Sequence, residues 1–294
     1  MSEVAVGKVG FWSKRSTRKL IAKSAALSII LVGAAFQLIP FVWMVSSSLK
    51  DLGSVYIFPP RWIPRPFIWE NYAEVWRLSP FLRYLINTVI VTGGNIAGLV
   101  ISCSIVAYGF ARLRAPGRDF LFVILLSTMM LPFQVTMIPL YLIFNALGWV
   151  NSFKPLIVPA FFGAPFFIFL LRQFFMGIPL EMDDAARIDG CSIYGIYWRI
   201  ILPLAKPALA TVAIFTFMWN WNDFIGPLIY LQSPDKFTLS LGLNSFRTTG
   251  SGYGTTEWNL LMAASIIVLT PCVILFFFAQ KYFIQGVVVS GLKG

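Results

Sequence analysis

The sequence contains no histidine, which removes the commonest general base and the commonest metal ligand of proteins. An enzyme built on it would have to work through carboxylates or a lone serine. Charge is scarce as well: Asp, Glu, Lys and Arg make up 12% of the 294 residues, where a soluble domain carries about 25%. Cysteine is limited to Cys103, Cys191 and Cys272, far apart and without a CxxC pair. That spacing argues against a disulfide framework and against a zinc site. No Gly-x-x-x-x-Gly-Lys-Ser/Thr loop is present to cradle a nucleotide triphosphate. Heptad arrays, low-complexity tails and internal repeats are missing too.

What is present is apolar: 58% of the residues are hydrophobic, in long stretches with the charges pushed between them. This is the pattern of an all-α, polytopic membrane protein. A formal net charge of +11 would suit nucleic acid, but the basic residues are scattered through loops rather than gathered on one face. No nucleic-acid partner is expected. Sorting of basic residues by membrane side accounts for the charge better.

Six spans of roughly bilayer length are expected, at about Ala25–Val45, Tyr84–Ala107, Phe120–Phe144, Pro155–Leu171, Ala208–Leu231 and Leu260–Ala279. The first follows Lys8, Lys14, Arg15, Arg18, Lys19 and Lys23, and it exceeds the 7–15 residues of a signal-peptide core. No small-x-small cleavage site follows it, so it reads as a retained span. The fourth is interrupted by Pro159 and Pro165, tolerable where neighbours satisfy the freed carbonyls. Fifteen of the 23 Lys and Arg fall on the side of the N-terminus, around Arg112, Arg114 and Arg118, along Arg172 to Lys206, and at Lys281 and Lys293. That side is cytoplasmic by the positive-inside rule, which gives an N-in, C-in topology.

Two outer segments stand out. Residues 55–72 mix aromatics with four prolines, the composition of an ordered surface loop. Residues 247–258 are rich in Gly, Ser and Thr, the composition of a mobile loop that can adapt to a partner.

The cytoplasmic stretch Pro179–Pro207 is the most informative. Pro179 can open a helix whose first turns hold Glu181, Asp183 and Asp184, where the helix dipole favours acids. Arg187 follows two of them within pairing range. Gly190 suits a left-handed stop, and a second short helix, Ser192–Ile201, would end before Pro203. Ala185 and Ala186 give the first helix a thin wall that another protein's groove could approach. The alternative is an amphipathic helix resting on the membrane, although such helices usually carry basic polar faces and this one is acidic.

The stretch resembles the EAA loop of ABC importer permeases: Glu-Ala-Ala, three residues, Gly, nine residues, then Ile-x-Leu-Pro. Asp184–Ala185–Ala186, Gly190, Ile200, Leu202 and Pro203 stand at that spacing, with Asp184 in place of Glu. Nearly the whole chain is similar to carbohydrate-uptake permeases of the type of the smaller maltose-transporter subunit. Asn87–Thr88, Ala107–Tyr108 with Arg112 and Gly117, Met129–Pro132 with Pro139, Trp221–Asp223 with Pro227–Leu228, and the end Gly286…Ser290–Gly294 carry the likeness.

The resemblance implies a type I ABC importer permease fold with six transmembrane helices, placed in the cytoplasmic (inner) membrane. It divides the chain into a basic N-terminus (1–24), a first transmembrane helix (25–48), an external loop (49–83), a permease core (84–284) with the EAA loop at 179–207, and a C-terminal tail (285–294). It also implies partners: a second permease subunit, an ABC ATPase dimer, and an external solute-binding protein that the 247–258 loop would touch. ATP and Mg would sit on the ATPase, with no cofactor, metal or catalytic residue on this chain. Gly291, Lys293 and Gly294 would reach the ATPase interface, the alternative being a frayed tail.

Trp219, Asn220, Trp221, Asn222 and Asp223 fall in the fifth span, with Trp219 near the midplane by a rise of about 1.5 Å per residue. Aromatic faces with amide and carboxylate hydrogen-bonders suit a sugar. Tryptophans also mark interfaces, and asparagines also join helices, so an assembly or gating role stays open. Gln134, Asn87 and Asn95 are weaker candidates. Two other functions compete with the permease reading. A self-sufficient secondary transporter would need several buried carboxylates along its path, and a membrane glycosyl-transfer enzyme would need clustered surface acids.

Overall fold

The computed structural model describes residues 15–248 and 256–291, and no strand occurs among them. Its principal helices are α1 (Arg15–Ser48), α2 (Glu70–Leu78), α3 (Phe81–Arg112), α4 (Arg118–Ser127), α5 (Phe133–Ala146) and α6 (Pro165–Met176). They continue with α7 (Glu181–Ile188), α8 (Ile193–Ile196), α9 (Lys206–Trp221), α10 (Ile225–Tyr230), α11 (Leu239–Thr248) and α12 (Trp258–Gly291). By length and composition four stretches can cross a membrane: Lys19–Ser48, Phe81–Arg112, Lys154–Met176 and Trp258–Gln280. Two bent pairs bring the number to six when each is taken as one span.

The bends correct two expectations. The third span is not continuous: Arg118–Met130 and Phe133–Ala146 meet at 97°. Pro132 explains the break, because its ring pushes the preceding residue out of the helical region, and Leu131 is extended, with ψ 114°. The fifth span does not run to Leu231. It turns by 74° before Lys206, stops at Trp221, and resumes as the short α10. Asn222 and Asp223 sit at that stop, where short polar side chains compete with the helical backbone. The outermost helices overrun their expected ends: α1 starts at Arg15 and α12 continues through position 285 to Gly291.

Helix α3 is the axis of the bundle. Its 32 residues span about 48 Å at 1.5 Å each, and α6, α9 and the 3-10 segment Val158–Phe162 pack on it. In lipid, close packing rather than water expulsion joins helices, so small residues mark the tightest contacts. A Cβ at Gly98 would stand 2.9 Å from that of Ala160, and one at Gly94 would stand 2.8 Å from Ile157. The irregular 154–163 stretch frees carbonyls at depth, and α3 answers them. Asn95 Nδ2 donates to Leu156 O at 2.8 Å, and Ser102 Oγ donates to Ala160 O at 2.9 Å. The prolines of the fourth span are tolerated in the expected way.

Two packed clusters result. One, toward the side with more basic residues and called inner below, gathers Cys103, Ala107, Phe167, Leu171, Phe175, Ile196 and Ile201. The other, called outer, gathers Val75, Phe81, Leu239, Ala263 and Ala264.

Candidate functional site

The elbow after α6 is assembled from local signals. Helix α7 has no side-chain N-cap at Leu180, and Glu181, Asp183 and Asp184 in its first turn complement the dipole instead. It ends in a Schellman motif: Cys191 N–H donates to Ala186 O at 2.8 Å and Gly190 N–H to Arg187 O at 3.0 Å. Gly190 takes φ +78°, a conformation that costs an L residue about 1–2 kcal/mol. Nothing lies within 4 Å of where its Cβ would be, so the chain itself demands only the backbone conformation there. Ser192 then caps α8, accepting from Gly195 N–H at 3.2 Å.

The second helix does not end before Pro203. The chain passes from α8 through a π turn at Tyr197–Ile201 into Leu202–Leu204, and it bends only at Ala205. Pro203 would press on the carbonyl four residues back in a regular α-helix. The wider π turn gives the ring room. Ile200 and Leu202 lean on the inner cluster, while Pro203 is exposed.

The two faces of α7 differ in kind. Asp183 and Ala186, three residues apart, point into the protein. Ala186 is 7% exposed and belongs to the inner cluster, which corrects the expectation that both alanines line an outer wall. Spacing decides the matter, since only one of two adjacent residues can share the face of Asp183. Ala185 is the outward one, flanked by Asp184 and by Ile188, which is 87% exposed. Arg187 and Asp184 pair along the surface at 3.4 Å, as their spacing suggested.

Asp183 has a different partner. Its Oδ2 lies 3.8 Å from Arg112 Nε, with both side chains almost fully buried. The same guanidinium donates to Phe175 O and Ile178 O, each at 2.7 Å. Arg112 thus ties the end of α3 to the end of α6 and to the elbow. One and two turns earlier on α3, Tyr108 Oη donates to Ile193 O at 3.1 Å, and Ser104 Oγ meets Tyr197 Oη at 2.8 Å. These residues lie at i, i+4 and i+8, a stripe that holds both elbow helices rigidly against one span. The sequence reading missed this clamp. The signal was there: an arginine closing an apolar span, and an acid on the alanine face of α7.

The aromatic stretch of α9 separates into roles. Trp221 is buried, stacks on Phe217 at 4.9 Å, and donates its indole N–H to Val268 O at 3.0 Å. Asp223 Oδ1 accepts from Gly226 N–H at 3.1 Å and starts α10. Asn220 and Asn222 donate back to Thr216 O and Met218 O. Only Trp219 keeps a large free face: it is 55% exposed, and it packs on Phe166, Phe167 and Phe215 with centroids 5.3–6.1 Å away. Asn87 and Asn95 are committed to backbone carbonyls, at Asp235, Phe237 and Leu156, while Gln134 is exposed. Among the described residues no cluster of three or more potential metal ligands occurs. Gly291 is the last described residue, so Lys293, Gly294 and most of the 247–258 loop lie outside the described residues.

Comparison with known proteins places this geometry in context. Residues 94–289 match the family described as binding-protein-dependent transport system inner membrane component. The arabinooligosaccharide transport system permease protein AraQ of Halalkalibacterium halodurans is 36% identical over 271 residues, 92% of this chain and 94% of that protein. The sn-glycerol-3-phosphate transport system permease protein UgpE of Yersinia pestis is 32% identical over 268 residues, 89% of this chain and 94% of that one. A chain of a bacterial ABC transporter involved in the import of the acidic polysaccharide alginate superposes with TM-score 0.79 at 25% identity, covering 92% and 98%.

Proposed function

The chain belongs to the family of binding-protein-dependent transport system inner membrane components, and from that premise we propose that it is a carbohydrate-importing ABC permease subunit driven through its elbow. It lies in the cytoplasmic membrane beside a second permease subunit. An external solute-binding protein delivers the cargo. An ABC ATPase dimer, which holds the ATP and Mg, docks from the cytoplasm.

The observation that carries this reading is the two-faced α7. One face is locked to α3 by Arg112, and the other offers Asp184, Ala185 and Ile188 to solvent. A partner pushing on that outer face moves α3 and α6 with it, because the inner face has no slack. Gly190, Ile200, Leu202 and Pro203 set the angle of the second elbow helix, and the tail residues Gly291, Lys293 and Gly294 are proposed as an added ATPase contact.

The cargo class rests on the relatives, which carry arabino-oligosaccharide, glycerol phosphate or alginate in their names. The exposed face of Trp219 on its phenylalanine platform is the proposed contact, since sugars stack their C–H faces on indole. Asn220, Trp221, Asn222 and Asp223 are proposed as neighbouring path or gate residues.

The test is made on the outer face, where substitutions spare the fold. Ile188→Asp and Ala185→Leu should leave abundance and thermal midpoint unchanged. Both should release the ATPase subunit on purification and abolish uptake in reconstituted vesicles. Full uptake with the ATPase retained in both variants would overturn the coupling role of this face.

A further inference from the structure

We propose that residues 56–69 form an interfacial anchor that lies on the outer lipid leaflet and holds lipid phosphate with Arg61 and Arg65. Three of the ten tryptophans, Trp43, Trp62 and Trp69, fall within the last turns of α1 and the 56–69 segment, and Trp76 follows in α2. Phe58 is 90% exposed, Trp69 66%, Ile63 64%, and Phe67 and Trp62 about half. The packed clusters leave these side chains uncovered.

The depth of the segment follows from what it touches. Helix α1 is apolar and uncovered from position 19 to 42, the condition of a helix surrounded by lipid. Its burial begins only at Ser46–Lys50. The segment folds back onto that same end. Ile68 N–H donates to Leu49 O at 2.9 Å, Ser46 Oγ donates to Trp62 O at 2.5 Å, and the Trp62 ring meets that of Trp43 edge-on at 5.3 Å. Trp62 therefore stands level with the last turns of a lipid-facing helix. A 30-residue helix reaches about 45 Å, against a hydrocarbon core of about 30 Å, so those turns emerge at the headgroups.

The chemistry matches that depth. Tryptophan and other aromatics favour the interface, and arginine extends an apolar stem with a phosphate-binding head. Arg61, Trp62, Ile63 and Arg65 line one concave patch. No acid is among the residues lining that patch. Asp51 is bound to the backbone and hydroxyl of Ser54, Glu74 pairs with Arg77 at 3.7 Å, and Glu70 opens α2. The inference rests on α1 being a membrane span with its N-terminal end inside, and not on the elbow or the cargo.

The experiment uses the assembled transporter in vesicles, with a fluorophore on a cysteine replacing Ile63 and, in a second preparation, Phe58. Quenching by nitroxide attached to lipid headgroups should exceed quenching by aqueous iodide several-fold at both positions. Adding phosphatidylglycerol to phosphatidylcholine should enrich the anionic lipid around the probe. Arg61→Gln and Arg65→Gln should each reduce that enrichment about fivefold. Millimolar inorganic phosphate should not compete. Quenching by iodide alone, competition by free phosphate, or shielding only on addition of the solute-binding protein would each overturn the proposal, the last in favour of a protein dock.

Discussion

The inner and outer ends of the bundle are fastened by different chemistry. At the inner end a buried ion pair, Arg112 with Asp183, joins three elements, and Arg112 Nε and Asp183 Oδ1 have no hydrogen bond. At the outer end neutral amides and hydroxyls do the work. Asn71 donates to Ser48 O and Lys50 O, Asn87 to Asp235 O and Phe237 O, and Thr88 Oγ1 accepts from Leu239 N–H. Neutral bonds are many and each is small, while an ion pair out of water concentrates its effect in two atoms. The end that must transmit force thus adds one charged fastening to the hydroxyl contacts of Ser104 and Tyr108, and its loss is felt most.

Breaking the inner fastening should give the largest effect. Arg112→Met leaves the buried Asp183 carboxyl without its partner and takes a donor from Phe175 O and Ile178 O, of which Phe175 O keeps Ile178 N–H, for a cost of about 3–5 kcal/mol. Asp183→Leu leaves the guanidinium with its carbonyl partners and should cost less. The double variant should recover part of the loss, because no orphan charge remains. Thermal midpoints of the purified assembly in detergent give the ordering. If the double variant is the sum of the singles, the two groups do not interact.

At the outer half the expected losses are smaller. Asn95→Ala removes one donor and leaves Leu156 O unpaired at depth, at a cost of about 1–3 kcal/mol. Asn71→Ala should fall in the same range, since it frees two carbonyls nearer to water. The two sites share no partner, so their effects should add within about 0.5 kcal/mol. Strong coupling in a double-mutant cycle would mean that the outer end behaves as one unit like the inner one.

The same contrast explains what could be read in advance. Length and hydropathy showed the spans, because a membrane imposes one length and one polarity on every crossing helix. The stop at Gly190 was legible because one conformation suits one residue type. The break at Pro132 was not read, since an apolar run hides a bend that proline alone announces, and Pro139 sits inside α5 without ending it. The Arg112–Asp183 pair joins positions 71 residues apart, so local patterns mark each residue as unusual but do not pair the two. Trp219, Trp221 and Asp223 read as one polar-aromatic motif, yet neighbouring helices give them three different tasks.

A buried cation at the outer end sharpens the comparison most. Lys50 is 2% exposed and its Nζ has no hydrogen-bond partner, but it lies 4.1 Å from the centre of the Trp43 ring. A ring face offsets about 0.5–2 kcal/mol of the cost of burying charge and, unlike a carboxylate, is not left charged when the amine goes. Lys50→Met should therefore stay within about 1 kcal/mol of the wild type, where Arg112→Met collapses. Burial holds the Lys50 amine below its usual 10.5, so between that lowered value and 10.5 the unfolded chain binds the extra proton. Stability of the wild type then rises with pH through this window relative to Lys50→Met. Thermal melts of both proteins from neutral to alkaline pH should converge or cross in that sense. A wild-type advantage that shrinks with rising pH would mean that the ammonium itself stabilises the outer end, through a contact stronger than the indole face.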